Sequence, residues 1–80
     1  MTEFELWIKA CEEFGTRIIM LEGAGDGTAL YMAYNIGEPH LGNRWNTYRK
    51  DITYQVFING KREFVTLDYR LALTFWEKKT

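Results

Sequence analysis

The stretch "ALYMAYNI", residues 29–36, predicts a β-strand and largely decides the fold class. Side chains of a strand point alternately to the two faces of a sheet. The alternation divides this stretch into Leu30, Met32, Tyr34 and Ile36 on one face and Ala29, Tyr31, Ala33 and Asn35 on the other. Small residues recur in the second set, and they would let a helix approach the sheet closely. We therefore expect this strand to belong to a sheet that carries helices.

A glycine-rich connection, "EGAGDGT" at residues 22–28, joins this strand to an apolar strand at 17–21. Glycine and aspartate tolerate positive φ, so the string predicts the tip of a first hairpin over 17–36. It has no P-loop lysine, and Thr28 stands where a dinucleotide fingerprint has its last glycine. Its "GDGT" resembles a short motif of the diacylglycerol and NAD kinase superfamily, in which a helix follows. Here a strand follows, so we expect a connection and not a phosphate cradle.

A second hairpin is predicted over residues 51–66, where Asn59-Gly60 is the strongest turn signal of the chain. A two-residue turn would place Val56 opposite Glu63. A three-residue turn with a bulge at Gly60 would place Phe64 on the face of Val56. The second register is favoured because it buries a ring and leaves a carboxylate in water.

Amphipathic helices are predicted at both ends of the chain, over residues 2–14 and 67–78. Thr2 and Glu5 form a T-x-x-E capping box at the start of the first helix. Thr66 or Asp68 caps the second. Its predicted apolar stripe consists of Leu67, Leu71 and Phe75, with Ala72 and Trp76 as further candidates.

These elements predict a single α+β domain over residues 1–80, in the order α-β-β-β-β-α. Two hairpins make a four-stranded antiparallel sheet, and the predicted architecture is a two-layer sandwich with both helices on one face. The other face would be open and would carry Tyr31 and Phe57. The longest irregular segment, residues 37–50, is expected to be a loop.

Composition indicates a small globular domain, with 46% hydrophobic and 26% charged residues among 80. The apolar residues are too interrupted for a membrane span. No basic region precedes an apolar core at the N-terminus, so we expect neither a signal peptide nor a membrane partner. The single cysteine cannot form an internal disulfide, which favours a reducing, cytoplasmic location.

Charge is distributed unevenly, although the formal net charge is only −1. Residues 1–38 carry seven acids and two bases, whereas residues 39–80 carry eight bases and four acids. Such asymmetry indicates either a basic face or two halves whose charges face each other, and the second interpretation is favoured.

The segment "HLGNRWNTYRK", residues 40–50, interleaves bases and rings. Its candidate partner-binding residues are Arg44, Trp45, Tyr48, Arg49 and Lys50. This combination suits stacking and phosphate pairing in single-stranded nucleic acid. It equally suits a protein hot spot, in which Trp, Tyr and Arg dominate. A third interpretation folds the rings onto the core. Trp76, if partly exposed, would add a second contact surface.

Catalytic chemistry has little support in the sequence. His40 is the only histidine, and Cys11 lies on the apolar stripe of the first helix, where a cysteine behaves as a small hydrophobe. One Cys and one His do not make a structural zinc site without carboxylates. We therefore expect no enzymatic activity, no cofactor and no metal.

The resulting functional prediction is a protein-binding module that occupies a partner's surface. Small size and missing chemistry are typical of the accessory or inhibitory proteins that phages and mobile elements encode. The alternative is a nucleic-acid-binding domain that uses residues 40–50. Its element order loosely resembles that of double-stranded RNA-binding domains, but with an extra strand and with Asp68 where they have a basic cluster. Unprotected edge strands also make a homodimer a candidate assembly.

Overall fold

The computed structural model describes residues 1–35 and 52–80, so the predicted loop 37–50 lies outside the described residues. The elements are α1 (Glu3–Phe14), β1 (Thr16–Gly25), β2 (Thr28–Asn35), β3 (Thr53–Ile58), β4 (Lys61–Thr66) and α2 (Tyr69–Lys79). The strands form one antiparallel sheet in the order β1-β2-β3-β4. This order confirms the predicted α+β class and its α-β-β-β-β-α sequence of elements.

Helix α1 begins with the predicted capping box. Glu5 N–H donates to Thr2 Oγ1 at 3.2 Å, and Thr2 N–H donates to Glu5 Oε1 at 2.9 Å. Each residue thus satisfies a backbone donor that the first turn of a helix leaves free. Gly15 ends the helix in the left-handed region, at φ 69°, and turns the chain into β1.

The tips of the two hairpins lie side by side at one end of the sheet. Asp26-Gly27 and Asn59-Gly60 are both two-residue turns, and all four residues have positive φ. This is the geometry of the type I′ turn, which matches the twist of the flanking strands. Gly60 N–H donates to the Gly27 carbonyl at 2.9 Å, so the tips are joined. The "GAGDGT" string is therefore a hairpin connection, as predicted.

In the second hairpin, Phe64 lies on the face of Val56 as predicted, but the bulge that places it there is at a different position. Its turn has two residues, with Ile58 opposite Lys61, and not three with a bulge at Gly60. The extra residue is Glu63, because Phe57 pairs with Arg62 and Val56 pairs with Phe64. This bulge turns Phe64 onto the face of Val56 and leaves the Glu63 side chain exposed.

The two helices lie on opposite faces of the sheet, which corrects the predicted placement of both on one face. One core cluster joins α1 to the first sheet face, through Trp7, Cys11, Ala29, Tyr31, Ala33 and Phe57. A second cluster joins α2 to the other face, through Leu30, Val56, Ala72 and Trp76. Because neighbours such as Ala29 and Leu30 point to opposite faces, the described residues form three layers with two half-cores.

The physical reason for this arrangement is the apolar character of both sides of β2 and β3. An open face would leave Tyr31 and Phe57 in water, and each large apolar side chain gains about 1.5–3 kcal/mol when it is buried. Instead α1 covers them, and its close approach is permitted by Ala29 and Ala33. Neither helix within residues 1–35 and 52–80 has the length and apolar character needed to cross a bilayer.

Candidate functional site

The predicted contact residues of the long loop lie outside the part of the chain that the structure describes. They are Arg44, Trp45, Tyr48, Arg49 and Lys50. Their role as a protein or nucleic-acid contact stays a prediction.

Trp76, the remaining predicted contact residue, lies in the core. Its side chain is only 9% exposed and clusters with Leu30, Val56 and Ala72. Ala72 precedes it by one helical turn, so the two residues share the face of α2 that rests on the sheet. The hypothesis of a contact surface around an exposed Trp76 is therefore corrected, because its ring presents little area to a partner.

The rotation of α2 also corrects the predicted apolar stripe. Leu67 and Leu71 were expected to point inward, but they are 73% and 55% exposed. The inward set is centred on Ala72 and Trp76, whereas Phe75 is half-buried beside β4. The further candidates of the predicted stripe, Ala72 and Trp76, are thus confirmed as core residues, and the small side chain of Ala72 made them the weaker signal.

A groove between β4 and α2 is the candidate functional site. We call it the β4–α2 groove, and its lining residues are Phe64, Leu71, Thr74, Phe75 and Lys78. Its base is a stacked ring pair, because the Phe64 and Phe75 centroids lie 4.6 Å apart with an interplanar angle of 11°. The groove has a volume of about 190 Å³. Its size and apolar base suit a single inserted side chain.

Local sequence features on both elements build this groove. The bulge at Glu63 places Phe64 on the α2 side of the sheet. Asp68 caps α2, since its Oδ1 accepts from Arg70 N–H at 2.8 Å and from Leu71 N–H at 3.3 Å. This cap fixes where the helix begins, and therefore which residues face β4. Leu71 lies one turn before Phe75 on α2 and forms the wall of the groove beside the stacked ring pair.

Positive charge borders the groove at the C-terminal end of α2. Lys78 lines it directly. The Lys79 ammonium lies 5.5 Å from the centroid of the Phe75 ring, within the range of a cation–π contact. Both cations also complement the negative end of the helix dipole. The groove can therefore offer apolar contact and positive charge together.

A second cavity, of about 340 Å³, opens between α1 and the sheet. It is lined by Trp7, Cys11, Thr16, Ala33, Asn35, Thr53 and Gln55. Its hydrogen bonds run from Thr16 Oγ1 to Asn35 Oδ1 at 2.6 Å and from Gln55 Nε2 to Thr53 Oγ1 at 3.3 Å. Gln55 Oε1 is buried and accepts no hydrogen bond from the described residues. Burial raises the pKa of the Cys11 thiol, which disfavours the nucleophilic thiolate.

A third cavity, of about 300 Å³, lies at the joined hairpin tips. Glu5 and Asp26 are the two carboxylates among its lining residues. Hydrogen bonds from the Thr2 backbone and then from its side chain hold the pKa of Glu5 below its usual value. This carboxylate is therefore committed to capping α1. Residues 1–35 and 52–80 bring together no set of three or more His, Cys, Asp or Glu side chains that could hold a metal ion.

Comparison of the chain with protein-family models, with curated proteins and with solved structures finds no match.

Proposed function

We propose that this chain is a non-catalytic protein-binding module that acts by occupying the surface of a partner protein. The observation that carries the proposal is the β4–α2 groove, in which an exposed leucine, a stacked ring pair and a lysine converge. Single exposed apolar residues are ordinary on protein surfaces. A contiguous apolar site with a charged border is instead characteristic of interaction surfaces.

The size of the groove favours a protein partner over a small molecule. Pockets for small molecules usually measure about 300–1,000 Å³ and enclose most of the ligand. The β4–α2 groove, at about 190 Å³, is smaller and open. It suits the anchor side chain of a larger surface, whose remaining contacts would spread over the neighbouring residues of α2.

An accessory or inhibitory role of the phage or mobile-element type is part of this proposal. A small domain with one apolar, basic groove would act by covering part of its partner and blocking other contacts there. A cytoplasmic setting is supported by the single cysteine, since small secreted domains usually depend on several disulfides.

The proposal is tested by affinity capture of tagged protein from nuclease-treated lysate of its own source or host. Three baits are compared: the wild type, Leu71→Glu, and Leu6→Glu as a matched control. Leu71 and Leu6 are 55% and 54% exposed, and they lie on helices on opposite faces of the sheet. We expect a protein that the wild type and Leu6→Glu retain and that Leu71→Glu loses.

Two results would contradict the proposal. Capture of nucleic acid alone from a parallel lysate without nuclease, and of nothing from the treated lysate, would favour the nucleic-acid hypothesis for residues 40–50. Binding to phosphates should also weaken by orders of magnitude between low and moderate salt. Failure of all three baits to retain any protein would remove the support for a binding module.

A further inference from the structure

We infer that the partner presents an acidic, apolar segment to the β4–α2 groove. One apolar side chain would insert between Leu71 and the Phe64–Phe75 pair, and neighbouring carboxylates would reach Lys78 and Lys79. This inference rests on the proposed function and adds the chemistry of the partner to it.

The apolar part of the inference follows from the walls of the groove. Phe64 and Phe75 supply a stacked aromatic base, and Leu71 supplies an exposed aliphatic wall. Water in contact with these groups would be released when an aliphatic or aromatic side chain replaces it. Among the lining residues that the structure describes, Thr74 is the only uncharged polar one, so a polar insert would find few hydrogen-bond partners there.

The acidic part follows from the charges at the groove. Within residues 1–35 and 52–80, the groove has five lining residues, which include one cation, Lys78, and no carboxylate. Lys79 lies over the Phe75 ring, which places a second cation beside the same aromatic base. A cation on a ring face retains donors directed away from the ring, because an ammonium group has three. A carboxylate of the partner would satisfy them and would meet no repulsion from the lining residues.

A nucleic acid would use this groove less completely than an acidic peptide. Phosphates would pair with the two lysines. Base stacking, however, needs an accessible ring face, and the Phe64 and Phe75 faces are already stacked on each other with Lys79 above Phe75. A polar, charged sugar–phosphate backbone would also offer no apolar group to contact the exposed Leu71 side chain. Only a segment that carries both an apolar side chain and carboxylates would contact the apolar wall and the two lysines at the same time.

The experiment is a selection of displayed random short peptides on the immobilised full chain, with recovery in buffers of low and moderate salt. We expect the recovered sequences to share a Leu, Ile, Met or Phe flanked by Asp or Glu. Synthetic copies of the recovered peptides are then titrated against variants of the protein. Recovery of sequences without an acidic bias, or of no sequence that depends on Leu71, would overturn the inference.

Leu71→Glu is expected to weaken binding of these peptides at least about 10-fold, because it removes apolar contact and adds a like charge. Lys78→Glu should weaken it severalfold, with a smaller effect at high salt, since the contact is exposed. Leu6→Glu and Lys9→Glu on α1 are the matched controls, and they should bind as the wild type does.

Misfolding will not imitate the expected result. Leu71 is the third residue of α2 after the Asp68 cap, so Leu71→Glu creates a D-x-x-E pattern and places an acid at the positive end of the helix. We expect an unchanged or higher melting temperature for this variant.

Failure of this inference can be separated from failure of the proposed function. If lysate capture yields a protein partner that Leu71→Glu still binds, the module function stands and the groove is wrong. If Leu71→Glu loses that partner but the selected peptides are basic or neutral, the groove stands and the acidic class is wrong. Light scattering that shows a dimer sensitive to Leu71→Glu would identify a second copy of the chain as the occupant and overturn the acidic segment.

Discussion

Replacing Phe57 with alanine is expected to destabilise the α1 half of the molecule. The side chain is 0% exposed, and its ring centroid lies 5.0 Å from that of Trp7, 5.3 Å from Phe4 and 6.0 Å from Tyr31. Removal of such a side chain costs about 3–5 kcal/mol, because transfer energy is lost and a cavity remains. A domain of this length has a total stability of only about 4–12 kcal/mol.

The expected loss is large enough to measure by urea unfolding and by the melting temperature. At about 4–8 °C per kcal/mol, the melting temperature should fall by roughly 12–40 °C. Phe57→Leu provides a milder variant that keeps more of the volume and is expected to stay folded. Its cost should be smaller, although the ring–ring contacts are lost in both variants.

Substitutions at two neighbouring residues of β3 test whether the two helices lie on opposite faces of the sheet. Val56 is also 0% exposed, but it belongs to the cluster of α2 and Trp76. Val56→Ala should cost about 2 kcal/mol. With fluorotryptophan labelling and fluorine NMR, Phe57→Leu should shift the resonance of Trp7 and leave that of Trp76 nearly unchanged. Val56→Ala should do the reverse.

The reasoning is refuted if Phe57→Ala lowers the free energy of unfolding by less than about 1 kcal/mol, since replacement of a buried phenylalanine by alanine typically lowers it by about 3–5 kcal/mol. It is equally refuted if both variants perturb the same tryptophan. With both helices on one face, as the two-layer architecture requires, one of the two variants would perturb both tryptophans and the other would perturb neither.

Three further substitutions or reactions test local features. Gly60→Ala should lower the free energy of unfolding more than Gly15→Ala does. Both glycines have positive φ, but only at Gly60 would an added Cβ meet Thr2, at 2.9 Å. The urea midpoint of Gly60→Ala should therefore be the lower one, and equal midpoints would contradict the close packing. Glu5→Gln should destabilise the folded protein at pH values above the unfolded-state pKa of Glu5. This effect should disappear as the pH falls through the lowered folded-state pKa. A difference in unfolding free energy that does not change with pH would contradict this. Cys11 should react with alkylating reagent far more slowly in the native protein than in urea, since burial raises its pKa; equal rates by mass spectrometry would show an accessible thiol.

Local sequence signals predicted the local structure well. The Thr2–Glu5 capping box and the Asn59-Gly60 turn each act within a few residues, and each appears where expected. The bulge at Glu63 was not predictable in this way. Two turn lengths satisfied the pattern of the second hairpin, and the burial of Phe64 selects only the final facing, which a bulge at either position can supply.

The prediction that both helices lie on one face of the sheet was wrong for a different reason. Antiparallel sheets often have one solvated face, and that expectation favoured two layers. The strand at residues 29–36 nevertheless carries apolar side chains on both faces, and Phe57 lies on the face assigned to water. This was a signal for helices on both sides. The rotation of α2 was missed because Leu67, Leu71 and Phe75 form a more hydrophobic stripe than Ala72 and Trp76.

The three-layer arrangement limits where a partner can bind through the described residues. Both faces of β2 and β3 are covered, so accessible apolar surface remains at the helices and at the sheet edges. At the β4 edge, Arg62 N–H already donates to the Glu3 carboxylate at 2.9 Å, and the bulge at Glu63 interrupts the ladder. A partner that added a strand there would have to displace this carboxylate and pair with a bulged strand. Bulges in edge strands are one of the features by which proteins prevent such pairing. Binding on this side is therefore expected to depend on side chains in the groove, and Leu71→Glu should have a larger effect on it than loss of the Glu3 carboxylate.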